Sequence, residues 1–142
     1  MADYEKPVLN RNYECDFKFG EECEIELLNL LRTYFKDDKL ELTDRYNKFD
    51  LTSNNLNIEI KSRKFNANKY KTTLVPYNKC LNIGNKKTII VINFIDSIYY
   101  IEYDEKKFKT FEIKQFNRQC NNEFDLPYYY INLSEFIKIC QK

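Results

Sequence analysis

KFDLTSNNLNIEIKSRK, residues Lys48 to Lys64, reads as two strands joined by a tight turn. Apolar and polar residues alternate on either side of Ser53, Asn54 and Asn55, and asparagine tolerates the positive φ angles that a two-residue hairpin turn demands. With Asn54 and Asn55 as the central pair, Leu51 faces Ile58, Phe49 faces Ile60 and Asp50 faces Glu59. One side of the hairpin then carries Phe49, Leu51, Leu56, Ile58 and Ile60, the other Asp50, Glu59 and Lys61. Like charges opposed across a strand pair destabilise it. Something positive belongs between the two acids, or the register is wrong.

Working outward, Leu40 to Thr43 is a short strand candidate before the hairpin. Upstream, Phe17 to Phe35 repeats its apolar residues at helical spacing after Asp16 as a cap. Glu21, Glu24, Leu28 and Leu31 share one stripe of that helix, so a carboxylate lies close to its buried side. Downstream, a basic loop leads to Pro76, which suits the first turn of a short helix through Tyr77, Lys79, Cys80 and Leu81, with Gly84 as its stop. Thr88 to Phe94 is almost wholly apolar and β-branched, the pattern of a central strand covered on both faces. Ile98 to Tyr103 and Phe108 to Ile113 read as a hairpin, Pro127 to Ile131 as a further strand, and Ser134 to Cys140 as a closing helix. The fold expectation is α/β, one domain over residues 1–142, with a mixed sheet flanked by helices.

Charge is segregated. From Lys61 to Lys87 the chain holds Lys61, Arg63, Lys64, Lys69, Lys71, Lys79, Lys86 and Lys87 and no acidic residue, although its net charge is only +1. A basic block directly after an acidic pair suggests a surface for a polyanion, with phosphates the obvious candidate.

Composition removes whole classes of chemistry. There is no histidine, so a Ser/His/Asp triad, imidazole acid/base work and His-ligated zinc are excluded. Gly20 and Gly84 are the only glycines, too few for a phosphate-cradling loop or a dinucleotide fingerprint. The five cysteines are widely spaced without a CxxC pair and read as reduced thiols. No apolar run approaches a membrane span and no secretory signal is visible, so an intracellular site is expected. The wealth of Asn, Lys, Ile and Tyr suggests an AT-rich genome, such as that of a virus or phage.

Carboxylates without histidine favour hard divalent ions, magnesium or manganese. An ion between Asp50 and Glu59 would remove their repulsion, polarise a phosphoryl oxygen and acidify a bound water. Lys61, on the same face as Glu59, suits orientation of that water or neutralisation of developing charge. Metal-assisted phosphodiester hydrolysis is the reaction these groups fit best.

Asp50, eight intervening residues and then Glu59-Ile60-Lys61 resemble the signature of the PD-(D/E)xK nucleases, which include restriction enzymes, Holliday-junction resolvases and recombination exonucleases. That family begins with a glutamate-bearing helix, followed by a three-stranded meander, a helix and another strand, the restriction-endonuclease-like αβββαβ core. FGEECEIELLNLL is similar to its first helix, and Glu24 fits the glutamate's place after Gly20 better than Glu21. The resemblance spans about Phe17 to Phe94 and departs in having Phe49 where a proline is often found. It implies a magnesium- or manganese-dependent nuclease, an endonuclease acting on DNA. Asp50, Glu59, Glu24 and the backbone carbonyl of Ile60 would hold the metal, and Lys61 would assist the water. Arg63, Lys64, Lys69, Lys71 and Lys79 would contact phosphates, and a homodimer follows by analogy alone.

The tripeptide Glu-x-Lys recurs at Glu105 and Glu112, the latter preceded by Asp104 at a similar interval. Pairing across a turn after Tyr103 would set Tyr99 opposite Glu112, so no acidic pair forms there. Blander readings stand beside these: an exposed charge cluster at Asp50, Glu59 and Lys61, a solvated Lys79, and burial rather than base stacking for Tyr128, Tyr129 and Tyr130. As whole-protein alternatives, the chain is an inactive nucleic-acid-binding module on the same fold or a protein-interaction domain.

Overall fold

The computed structural model describes residues 25–44, 46–81, 84–116 and 126–142. Its organising strand is β5 (Lys87–Asn93), whose side chains feed two separate cores. Ile89 and Val91 point into one, Ile90 and Ile92 into the other, and all four are buried. A strand this uniformly β-branched must be covered on both faces, and it lies inside a mixed six-stranded sheet of order β1 (Glu41–Leu42), β2 (Leu51–Thr52), β3 (Leu56–Ser62), β5, β6 (Ser97–Glu102), β9 (Ile137–Gln141).

From Leu51 onward the hairpin takes the register its pattern dictates, but the ladder does not extend to the expected Asp50–Glu59 and Phe49–Ile60 pairs, because Asp50 and Phe49 lie before β2 and the Asp50 amide turns to the Ile58 carbonyl. β2 (Leu51–Thr52) pairs antiparallel with β3 (Leu56–Ser62), Leu51 opposite Ile58 and Thr52 opposite Asn57. Ser53 closes the turn, its hydroxyl accepting the amides of Asn55 and Leu56. β1 (Glu41–Leu42) adds the outer strand of the meander. β3 then runs parallel to β5 with Glu59 beside Ile90 and Lys61 beside Ile92, and β6 (Ser97–Glu102) returns antiparallel to β5.

One face of this sheet is covered by helix α1, described over residues 25–34. Leu27 and Leu31, one turn apart, pack with Leu40 on Leu51, Ile58, Ile60, Ile89 and Val91. The expected helix from Phe17 therefore holds over that portion, while Glu21 and Glu24 lie outside the described residues. Among the described residues no helix is long and apolar enough to cross a membrane.

The other face is covered by a sheet that was not expected. β4 (Thr72–Pro76), β8 (Leu126–Asn132) and β7 (Glu112–Phe116) form an antiparallel three-stranded sheet of order β4-β8-β7. Val75, Tyr129 and Ile131 from this sheet meet Ile90, Ile92 and Ile101 of the larger one, with Phe65, Phe94 and Phe108 filling the gap. The result is mixed α/β with few helices.

Three expectations are corrected. Ser134 to Cys140 is not a closing helix: a 3-10 turn over Leu133–Glu135 leads into β9 (Ile137–Gln141), which pairs with the open edge of β6. Phe108 to Ile113 is not the partner of β6. Asp104 caps a short helix α2 (Glu105–Phe108) by accepting the amides of Lys106 and Lys107, and β7 then crosses to β8, so that Tyr99 faces Lys138 and Glu112 faces Tyr130. The helix expected after Pro76 is a single 3-10 turn, Tyr77–Cys80, which ends in extended backbone at Leu81. Gly84, with φ +69°, serves instead in the turn before β5.

Candidate metal and phosphate site

Glu59 is the central residue of the site. The alternation that sends Ile58 and Ile60 toward α1 sends Glu59 to the opposite face, beneath the β3–β5 crossover. There it is 3% exposed, so an exposed charge cluster is not what the strand builds. Lys61 Nζ stands 3.0 Å from Glu59 Oε2, and Lys79 Nζ, from the 3-10 turn of the crossover, 3.3 Å from Oε1. The two contacts differ in kind. Lys61 hydrogen-bonds the carboxylate, whereas Oε1 has no aligned hydrogen bond and meets Lys79 through charge alone.

Burial raises the pKa of the Glu59 carboxyl, the largest effect on it. Lys61 opposes that shift, Asp50 reinforces it, and Lys79 opposes it. Asp50 thus adds to the cost of charging Glu59, and among the described residues Lys61 and Lys79 are the positive groups on that carboxylate.

Asp50 sits one residue before β2, where the regular ladder has ended. Its amide donates to the Ile58 carbonyl at 3.0 Å, and its Oδ2 accepts the Ile60 amide at 2.7 Å. It is thus the N–H of Ile60, not its carbonyl, that is seen to touch the acid. Asp50 is half-buried, and Thr43 accompanies it, its amide donating to the Asp50 carbonyl at 3.0 Å.

The loop bearing Asp50 and the turn bearing Lys79 are tied together. Lys79 Nζ donates to the Lys48 carbonyl, and Lys48 Nζ donates to the Leu81 carbonyl. Lys79 is half-buried and partnered rather than freely solvated. Lys48 was not singled out from sequence, because only the folded crossover brings Leu81 back to it.

The basic block divides. Arg63 and Lys64 follow β3 directly, while Lys87 pairs with Leu56 at the strand's other end. Ser62 lies six residue steps along from Leu56, roughly 20 Å of strand. Lys87 is engaged by Glu102 at 3.5 Å and Lys86 by the Thr52 hydroxyl at 3.2 Å. Lys64, Lys69 and Lys71, beyond the C-terminal end of β3, are exposed. Arg63 is half-buried and donates to the Leu74 carbonyl at 3.3 Å, so part of its guanidinium braces the crossover. Lys69 Nζ lies 5.4 Å from the ring centres of both Phe65 and Tyr70. Tyr128 and Tyr129 are buried and Tyr130 half-buried, as expected of a packed strand rather than a stacking platform.

Asp50 and Glu59 suit a divalent ion by donor type, and Oε1 is a buried oxygen without an aligned hydrogen bond, the kind of atom a cation satisfies. Among the described residues, no three acidic or thiol groups converge as a ligand set. No protein-family model, curated protein or solved structure matches the chain.

Proposed function

We propose that the chain is a divalent-metal-dependent nuclease acting on DNA, built on a restriction-endonuclease-like core. The observation that carries this reading is the buried carboxylate of Glu59, acted on by Asp50 and bonded by Lys61 at 3.0 Å. Element order supports it as well: α1, the β1-β2-β3 meander, a crossover, and β5 parallel to β3. This is the order the PD-(D/E)xK resemblance implies, except that β4 and short 3-10 turns stand where the second helix would be.

Asp50 and Glu59 would hold magnesium or manganese, with Glu24 the further carboxylate implied by the resemblance. Bound there, the metal supplies Lewis acidity and an activated water. Lys61, held 3.0 Å from Glu59 Oε2, would orient a water beside that carboxylate and offset negative charge growing on the phosphate. The exposed Lys64, Lys69 and Lys71 would add contacts to the phosphate backbone.

Cleavage of plasmid DNA by the intact protein, with magnesium, with manganese and with EDTA, tests the reading. Metal-dependent cutting that disappears in Glu59→Gln is the expected result. No cutting under any metal, with binding that falls steeply as salt rises, would replace it by the second reading. That second reading is a nucleic-acid-binding module without activity, and one observation favours it: both oxygens of Glu59 already face a lysine.

A further inference from the structure

We infer that Lys79 is a positioning residue coupling metal entry to the grip on phosphate: its ammonium holds Glu59 Oε1 while no divalent ion is bound, and turns to the phosphate when one is. The inference rests on the metal-dependent reading above and adds a regulation of the same site.

Two cations compete for one oxygen. An ammonium 3.3 Å from Oε1 and a divalent ion on that atom would repel strongly at such range, so one must yield. Lys61 is not the one that yields, because it hydrogen-bonds Oε2 at 3.0 Å and belongs to the same strand as Glu59. Lys79 meets Oε1 without an aligned hydrogen bond and comes from a separate element.

A displaced Lys79 would not be lost to solvent. Its ammonium also donates to the carbonyl of Lys48, two residues before Asp50, and Lys48 in turn donates to Leu81. The released charge therefore stays beside the metal pair. Its side chain is 24% exposed, enough to reach a phosphate lying over the site. Metal and nucleic acid would then each strengthen the other's binding, as reciprocal linkage requires.

The experiment titrates Mn2+ alone, by calorimetry, into the parent, Lys79→Met and Lys79→Gln, each first shown by thermal melting to be folded. In parallel it measures the affinity of a short DNA duplex with EDTA and with Ca2+. The expected result is Mn2+ binding tighter in both variants, on the order of tenfold, with a Ca2+ enhancement of DNA binding that is smaller than in the parent. A merely structural lysine would not tighten metal binding when removed. Mn2+ affinity in the variants equal to or below the parent's overturns the inference and leaves the metal site standing. A parent that binds no Mn2+ overturns the metal reading itself, and the inference with it.

Discussion

Asp50 accepts the backbone amide of Ile60 at 2.7 Å, so the acid that repels Glu59 also holds the strand on which Glu59 sits. Removing Asp50 thus has two opposite effects on the metal-free protein. Asp50→Ala relieves repulsion but strips a buried amide of its acceptor, which costs about 1–3 kcal/mol and outweighs the relief from a partly solvated charge. Asp50→Asn keeps an acceptor and removes the charge. Denaturant unfolding in EDTA should find Asp50→Ala less stable than the parent and Asp50→Asn at least as stable, with cleavage lost in both.

Glu59 gives a pH dependence with a definite sign. Its carboxyl titrates above the ordinary 4.5, chiefly through burial, so the folded protein holds that proton more tightly than the unfolded chain does. The associated stability is fully present below about 4.5 and is lost as pH rises through the raised value. Glu59→Gln keeps the neutral form at every pH. In EDTA, the Tm of Glu59→Gln minus that of the parent should be small under acid conditions and grow positive toward neutral pH. A difference that stays flat or turns negative would show that the two lysines compensate fully. Saturating magnesium should raise the parent's Tm and leave that of Glu59→Gln unmoved.

What the sequence made legible is what local pattern decides. Asn54 and Asn55 with their alternating flanks fix the register of Leu51 on Ile58, and the run of isoleucines in β5 announces a strand buried on both faces. The misses are pairings between distant segments. Thr72–Pro76 finds its partner at Tyr128–Asn132, and Ile137–Gln141 becomes a strand because β6 offers an open edge. The string SEFIKIC is short enough to satisfy either periodicity, and tertiary context selects extended backbone there. Within the site, Asp50, Glu59 and Lys61 were readable because one hairpin positions them. Lys79 was singled out only as a phosphate contact and Lys48 not at all, since the contacts they make depend on how the crossover folds back over β3.

The second sheet can be tested by its packing. Phe108 is fully buried between the two sheets, with Tyr103, Phe111 and Tyr129 rings around it at 4.8 to 5.1 Å between centroids. Phe108→Ala should cost about 3–5 kcal/mol. Leu31, equally buried on the inner side of α1 at the opposite face of the sheet, should cost about 2–5 kcal/mol as Leu31→Ala. Because the β-sheet separates the two positions, their effects in the double variant should add within about 0.5 kcal/mol. Strong coupling by urea unfolding would mean that the two cores are not independent.

The repeated tripeptide provides the last control. Glu112-Ile113-Lys114 has the same letters as Glu59-Ile60-Lys61, but Glu112 is exposed and pairs with Lys114 of its own strand at 3.1 Å, a contact worth about 0–1 kcal/mol. Asp104, its upstream acid, is spent as the cap of α2, accepting the amides of Lys106 and Lys107 at 2.9 and 3.1 Å. Asp104→Ala should therefore lower stability by about 1 kcal/mol, Glu112→Ala should be nearly neutral, and both should cut DNA at the parent's rate. Loss of cleavage in Glu112→Ala comparable to that in Glu59→Gln would mean that burial and hairpin geometry had selected the wrong glutamate.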